Sequence, residues 1–218
     1  MGEYAMHVVI NGANRGVGLA LCQVAKAKGH TVTALCRTSS ESLRDLSVRV
    51  VEGVEAKNPP VLDDLESIDW LILNAGIWRD ESLDSLNFDT ILEQFEVNSL
   101  GPLRVFQKLS HALSEGSKVG LMTSLMGSMA ENSSGGRYGY RASKAALNAI
   151  GVSLAQDLKA RGIAVALLHP GYVSTDMTQH KGTTSPAESA DGLFQVMGEL
   201  SLQNTGGFWN YRGEALPW

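Results

Sequence analysis

Cysteine, long apolar runs and blocks of like charge are all scarce in this 218-residue chain, and each shortage closes off a class of function. The two cysteines, Cys22 and Cys36, have no partners at a metal-like or redox spacing. A disulfide framework and a cysteine metal site are therefore not expected, and both read as buried thiols of a reducing compartment. Net charge is −5 without long runs, so neither nucleic acid nor an anionic membrane is an expected partner. No stretch is apolar for long enough to span a bilayer. The first residues lack a basic region followed by an apolar one, so no signal peptide is expected. Met1-Gly2 is followed by Met6 where an acylation signal needs Ser or Thr. Without secretion, the glycosylation triplet Asn132-Ser133-Ser134 carries no meaning. The expectation is a soluble, cytoplasmic protein holding no metal. At 44% hydrophobic residues, the chain can fold as one domain over 1–218.

What is present is an alternation of β-branched runs and amphipathic stretches. Ala5 to Ile10 reads as a buried strand, Leu19 to Lys28 as a helix closed by Gly29, and His30 to Cys36 as a second strand. Between the first strand and the helix lies Gly12-Ala-Asn14-Arg15-Gly16-Val17-Gly18. Strand, glycine loop, helix and strand form a unit of the dinucleotide-binding kind, in which glycines let the backbone approach a pyrophosphate at the helix N-terminus. An acid at the end of the second strand would favour NAD, by accepting from the ribose hydroxyl. This chain has Arg37 there and Arg15 in the loop, which favours the 2′-phosphate of NADP.

Further strands are expected at Val48–Val51, Asp69–Leu73, Lys118–Ser124, Ile163–His169 and Phe208–Trp209. Helical patterns are expected at Phe88–Asn98 and Gly101–Leu113, from about Tyr140 to Ala160, and over Pro186–Leu200, with at most a short helix near Leu62–Glu66. Asn74-Ala75-Gly76 follows the fourth strand, where small groups can approach a ligand lying across the sheet. Asn98 falls within a helical pattern that an asparagine does not favour, marking either a kink or a functional position. The whole reads as a doubly wound parallel sheet of about seven strands with helices on both faces.

The stretch Tyr140-Arg-Ala-Ser-Lys144 gives this frame its chemistry. Residues four apart on a helix share a face, so a phenol and an ammonium would point into one space. A free tyrosine titrates near about 10, and a cation held beside it favours the phenolate and pulls that value down. A spacing of four is common on exposed helices, so its weight comes from the nucleotide frame around it.

Taken in order, Gly12-x-x-x-Gly16-x-Gly18, Asn74-Ala75-Gly76, Tyr140-x-x-x-Lys144 and Pro170-Gly171-x-Val173-x-Thr175 resemble the short-chain dehydrogenase/reductase family over nearly the whole chain. The segments SSGGRYGYRASKAALN and GGFWNYRGEALPW look more narrowly like sniffer-type carbonyl reductases and C-factor-like proteins. The resemblance implies a reversible oxidoreductase converting a ketone or aldehyde to an alcohol, with Tyr140 as proton donor. Lys144 would hydrogen-bond the nicotinamide ribose, and Ser124 would bond the substrate oxygen, with Ser128 as rival. Asn98 would hold a water of a proton relay, while Thr175 and the Val173 backbone would hold the carboxamide. Glu52 could stand in for the acid that usually contacts adenine. A homodimer or homotetramer is the expected assembly. The alternative is a nucleotide-binding signalling protein of the C-factor kind with little turnover. A short lid between Thr175 and Pro186 implies an open pocket, with Trp78, Met126, Met129, Tyr172 and Met177 as candidate walls.

Overall fold

A computed structural model describes residues 5–218; the Met1-Gly2 start considered above lies outside them. Seven parallel strands form one sheet: β1 (His7–Asn11), β2 (Thr31–Leu35), β3 (Arg49–Val51), β4 (Ile68–Leu73), β5 (Leu113–Met122), β6 (Ala164–His169) and β7 (Phe208–Asn210), in the order β3-β2-β1-β4-β5-β6-β7. Sequence order reverses between β1 and β4, the switch point at which open sheets of this kind receive ligands.

The central strands are apolar on consecutive residues because both faces are covered. Val8, Ile10, Val32, Ala34 and Ile72 meet α1 (Gly16–Ala27) and α6 (Pro186–Glu199) on one side. Val9, Leu35, Leu71, Leu73 and Val119 meet α4 (Gly101–Leu109) and α5 (Tyr138–Lys159) on the other. The period of two along each strand thus sorts neighbouring residues into two cores. Both cysteines are free; burial pushes the Cys22 thiol up to about 12 and raises that of Cys36, as inert thiols require.

Several sequence expectations need correction. A short helix, α2 (Glu41–Asp45), forms where none was expected, because the Ser40 hydroxyl accepts from the Leu43 amide and caps it. Near Leu62–Glu66, where at most a short helix is expected, none forms, within that bound. A single turn, with the Leu65 amide bonded to the Leu62 carbonyl, already buries both leucines. β5 begins five residues early and ends at Met122, so Thr123 and Ser124 lie beyond it. Where Gly101-Pro102 could fall between or within the two helical stretches, it falls within: α3 (Phe88–Phe95) continues into α4 through a π turn, Glu96–Leu100. Among the described residues, no helix is long and apolar enough to cross a membrane.

Candidate active site

Tyr140 and Lys144 occupy adjacent turns on one face of α5, 8% and 3% exposed. The Lys144 ammonium lies 5.8 Å from the centre of the Tyr140 ring and donates to the Met122 carbonyl at 2.8 Å. Burial lowers the lysine pKa to about 8. For the phenol, burial is the larger influence and raises its pKa; a hydrogen bond from Ser124 works against that rise. The lowering expected from Lys144 is therefore not what this environment produces, since loss of hydration sets the direction of the phenol's shift.

Ser124 supplies the hydroxyl beside the phenol. Its oxygen accepts from the Met126 amide at 3.2 Å, which leaves its own proton free to be donated. Ser128 instead accepts from the Glu131 amide and lines a cavity of about 420 Å³ that Tyr140, Ser124 and Lys144 do not border.

Asn98 is fully buried in the π turn, an interruption that often coincides with function. Its amide oxygen accepts from the Ile77 amide at 2.8 Å, and its NH₂ donates to the Ile77 carbonyl and to Ser143 Oγ. Ser143 in turn donates to the Tyr140 carbonyl. Gly76 runs between Asn98 and Lys144. A Cβ there would stand 3.3 Å from Asn98 Oδ1 and 3.4 Å from Lys144 Nζ.

At the switch point the glycine loop is packed tightly enough to need its glycines. Gly12 has φ 73, and a Cβ on it would meet the Ala75 backbone at 2.7 Å; a Cβ on Gly18 would overlap the Gly12 carbonyl. Asn74 Nδ2 donates to the Gly12 carbonyl at 3.0 Å, tying the loops after β1 and β4 together. Val17 packs against the first core. Asn14 contributes its carbonyl to Ser40 Oγ, which anchors the segment after β2. Helix α1 starts at Gly16 with no side-chain cap and no acid in its first turn. By contrast Ser40, Asn87 and Ser185 cap α2, α3 and α6. Open amides at a helix start beside the switch point suit a pyrophosphate.

Farther out, Arg37 is exposed at the end of β2. Arg15 reaches across to Asp176 at 3.2 Å, a surface pair with both side chains more than 60% exposed. Glu52 accepts from the Ser39 amide at 2.7 Å, and hydrogen bonds from the Ser39 side chain and backbone hold its carboxyl below the ordinary range, so its carboxylate is engaged in shaping the Arg37–Ser40 turn. Past β6, Pro170 accepts from Ser189, Gly171 packs on Tyr211 with φ 88, and Thr175 lies within reach of Gly16. The Val173 carbonyl is taken by Thr178 Oγ1 at 2.6 Å. The short lid turns through Asp176–Thr178 and returns to pair Thr184 with Val173.

Of the expected pocket walls, Met126 and Met129 line the 420 Å³ cavity, and Tyr172 borders another of about 240 Å³. Met177 is 45% exposed. Trp78 stacks on Tyr140, ring centres 5.5 Å apart.

Glu81 is the important residue the sequence concealed. It is 4% exposed, and its carboxylate accepts from Gln94, Thr90 and the Gly139 amide, while its carbonyl accepts from the Arg137 amide. It thereby fixes the start of the helix that carries Tyr140. Position 81 sits in an irregular loop with no pattern to single it out.

The sequence model described as short chain dehydrogenase matches residues 6–186. One relative is the 1-hydroxy-2-glutathionyl-2-methyl-3-butene dehydrogenase of Rhodococcus sp. (strain AD45), 35% identical, the alignment covering 97% of this chain and 99% of that one. Another is the C-signal protein of Myxococcus xanthus, 39% identical over 69% of this chain and 93% of that protein. Among solved structures, the carbonyl reductase Sniffer of D. melanogaster superposes with a TM-score of 0.91 at 27% identity, covering 99% of this chain and 100% of its own. An NADPH-bound carbonyl reductase from chicken fatty liver superposes with a TM-score of 0.88 at 27% identity, covering 98% and 99%.

Proposed function

The chain belongs to the short-chain dehydrogenase family as a nicotinamide-dependent oxidoreductase, and from that premise we propose that it uses NADPH to reduce a ketone or aldehyde to the alcohol. The carrying observation is the buried phenol of Tyr140 with the Ser124 hydroxyl against it and the Lys144 ammonium one turn along α5. NADP is supported by Arg37 near the end of β2 and Arg15 in the glycine loop, while the uncapped start of α1 suits the pyrophosphate of either dinucleotide.

A reduced nicotinamide, when bound, supplies hydride to the carbonyl carbon. Ser124 Oγ–H donates to the carbonyl oxygen and stabilises the negative charge that grows there. Tyr140 then gives its proton to that oxygen, so that the C=O π bond is replaced by one C–H and one O–H bond. Burial favours this direction, since a raised phenol pKa keeps the proton on Tyr140 throughout the neutral range. Alcohol oxidation needs the phenolate and is accordingly favoured by alkali. Lys144, mostly protonated below about 8, would donate to the nicotinamide ribose and resupply the phenol's proton, being linked to solvent in turn by a water held at Asn98. The Val173 backbone and the Thr175 side chain would hold the carboxamide of a bound nicotinamide.

Purified protein with NADPH is expected to reduce an activated carbonyl, followed as loss of nicotinamide absorbance. Tyr140→Phe should lower turnover by about 10²- to 10⁴-fold, the span of general acid catalysis, while NADPH binding persists. Normal turnover by that variant would remove the mechanism. The 39% identity to the C-signal protein favours a second reading, a nucleotide-binding signalling role. In that case a cellular phenotype survives Tyr140→Phe but not disruption of the glycine loop.

A further inference from the structure

Beside Tyr140 lies a stack that the reduction chemistry does not use. The Trp78 ring lies 5.5 Å from the Tyr140 ring, and the Arg137 guanidinium carbon stands 5.4 Å over the same indole. The cation is thus held no more than about 11 Å from the centre of the phenol ring. Arg137 gets there through an unusual backbone. Gly135, Gly136 and Arg137 have φ of 64°, 63° and 52°, a left-handed run that a side-chain-bearing residue joins only when its surroundings impose it. Such outliers gather where a side chain must be aimed. The Glu81 carbonyl holds the Arg137 amide at 2.7 Å and fixes that turn.

The guanidinium is only lightly engaged. Its Nε lies 3.4 Å from Asp80, whose side chain is 77% exposed, and neither Nη makes a hydrogen bond among the described residues. Asp80 is the exposed half and can yield to another anion, whereas Arg137 Nε itself is buried without a hydrogen-bond partner among the described residues. Trp78 Nε1, also buried, lacks a hydrogen-bond partner among the described residues. A planar cation laid on an aromatic ring, with its outer N–H groups open, is suited to bidentate recognition of a carboxylate.

We propose that Arg137, seated on Trp78, is the specificity-determining residue of the active site and selects carbonyl substrates that carry a carboxylate. This deepens the reductase reading and rests on it. The carbonyl sits at Tyr140 and Ser124, while the carboxylate reaches past the indole to the guanidinium.

The test compares 4-carboxybenzaldehyde with its neutral methyl ester as substrates of the full chain with NADPH. The acid should be preferred in kcat/KM by about tenfold or more, expressed in KM rather than kcat, and the preference should shrink as salt is added. Arg137→Asn suits the left-handed backbone and removes the cation; it should bring the acid-to-ester ratio toward one. Arg137→Lys should keep part of it. The ratio is internal to each variant, so a loss of folded protein does not imitate the effect. A ratio near one in the unsubstituted protein, or an unchanged ratio in Arg137→Asn, overturns the proposal. If neither aldehyde is reduced, the reductase reading fails by itself and the subsite is judged by calorimetric binding of 4-carboxybenzaldehyde. Weaker binding to Arg137→Asn then upholds the subsite, and equal binding overturns it.

Discussion

The residues offered to the reacting groups and those offered to the far end of the nucleotide are built on different principles. Tyr140, Lys144, Asn98 and Ser124 are all buried, and their neighbours use backbone groups and one another to fix them. Arg15 and Arg37 are exposed and held by surface contacts or by none. A buried group has its pKa and its position set together by the fold, so changing it disturbs stability and chemistry at once. An exposed cation can be altered with little effect on the core, and it acts mainly by discriminating between ligands. On the proposed reading, cofactor preference is the adjustable property and proton transfer the fixed one.

The contrast can be tested first at Lys144. Its pKa falls from 10.5 unfolded to about 8 folded, so the unfolded chain binds the extra proton between those values and stability rises with pH across that window. The cost is fully present below about 8 and disappears above the unfolded value. Lys144→Met should abolish this dependence and lose turnover, the removed cost of burying an ammonium being offset at neutral pH by the loss of the bond to the Met122 carbonyl; denaturant melts at pH 7 and 10 would show the flattened profile. An equal pH dependence in both proteins contradicts the assignment.

Glu81→Ala comes next. It leaves the Gly139 amide and the Gln94 NH₂ without the carboxylate that satisfies them, at a cost of about 2 kcal/mol in thermal unfolding. Because the start of α5 loosens, reductase kcat should fall as well; an unchanged kcat would mean that Glu81 serves stability alone. The smallest effect is expected at the exposed end. Arg37→Asp should move the NADPH-to-NADH affinity ratio by about tenfold toward NADH, with a melting temperature close to that of the unsubstituted chain. Titration of both nucleotides would decide it, and a ratio that does not move would place the 2′-phosphate elsewhere.

Much of this division was legible in the residues. Continuous apolar runs such as Val8–Ile10 announce strands covered on both faces, and Gly12, Gly16 and Gly18 announce a turn that tolerates no Cβ. Tyr140 and Lys144 could be placed on one helical face from spacing alone. Less legible was whatever depends on partners distant in sequence. Glu81 meets Gly139 across 58 positions, and nothing local marks either as capped. The direction of the Tyr140 shift was misread for a related reason: the spacing reveals the neighbouring cation but not the depth at which both groups are buried. The π turn at Asn98 likewise needs Ile77 and Ser143 to close it.

The bare beginning of α1 has a consequence for the protein as a whole. Helices α2, α3 and α6 carry their own closing side chain, whereas α1 does not, and on the proposed reading an anion from outside finishes its leading amides. On that reading nucleotide works as a missing structural part, and the order of the first turn becomes a gauge of how much of it the surroundings supply.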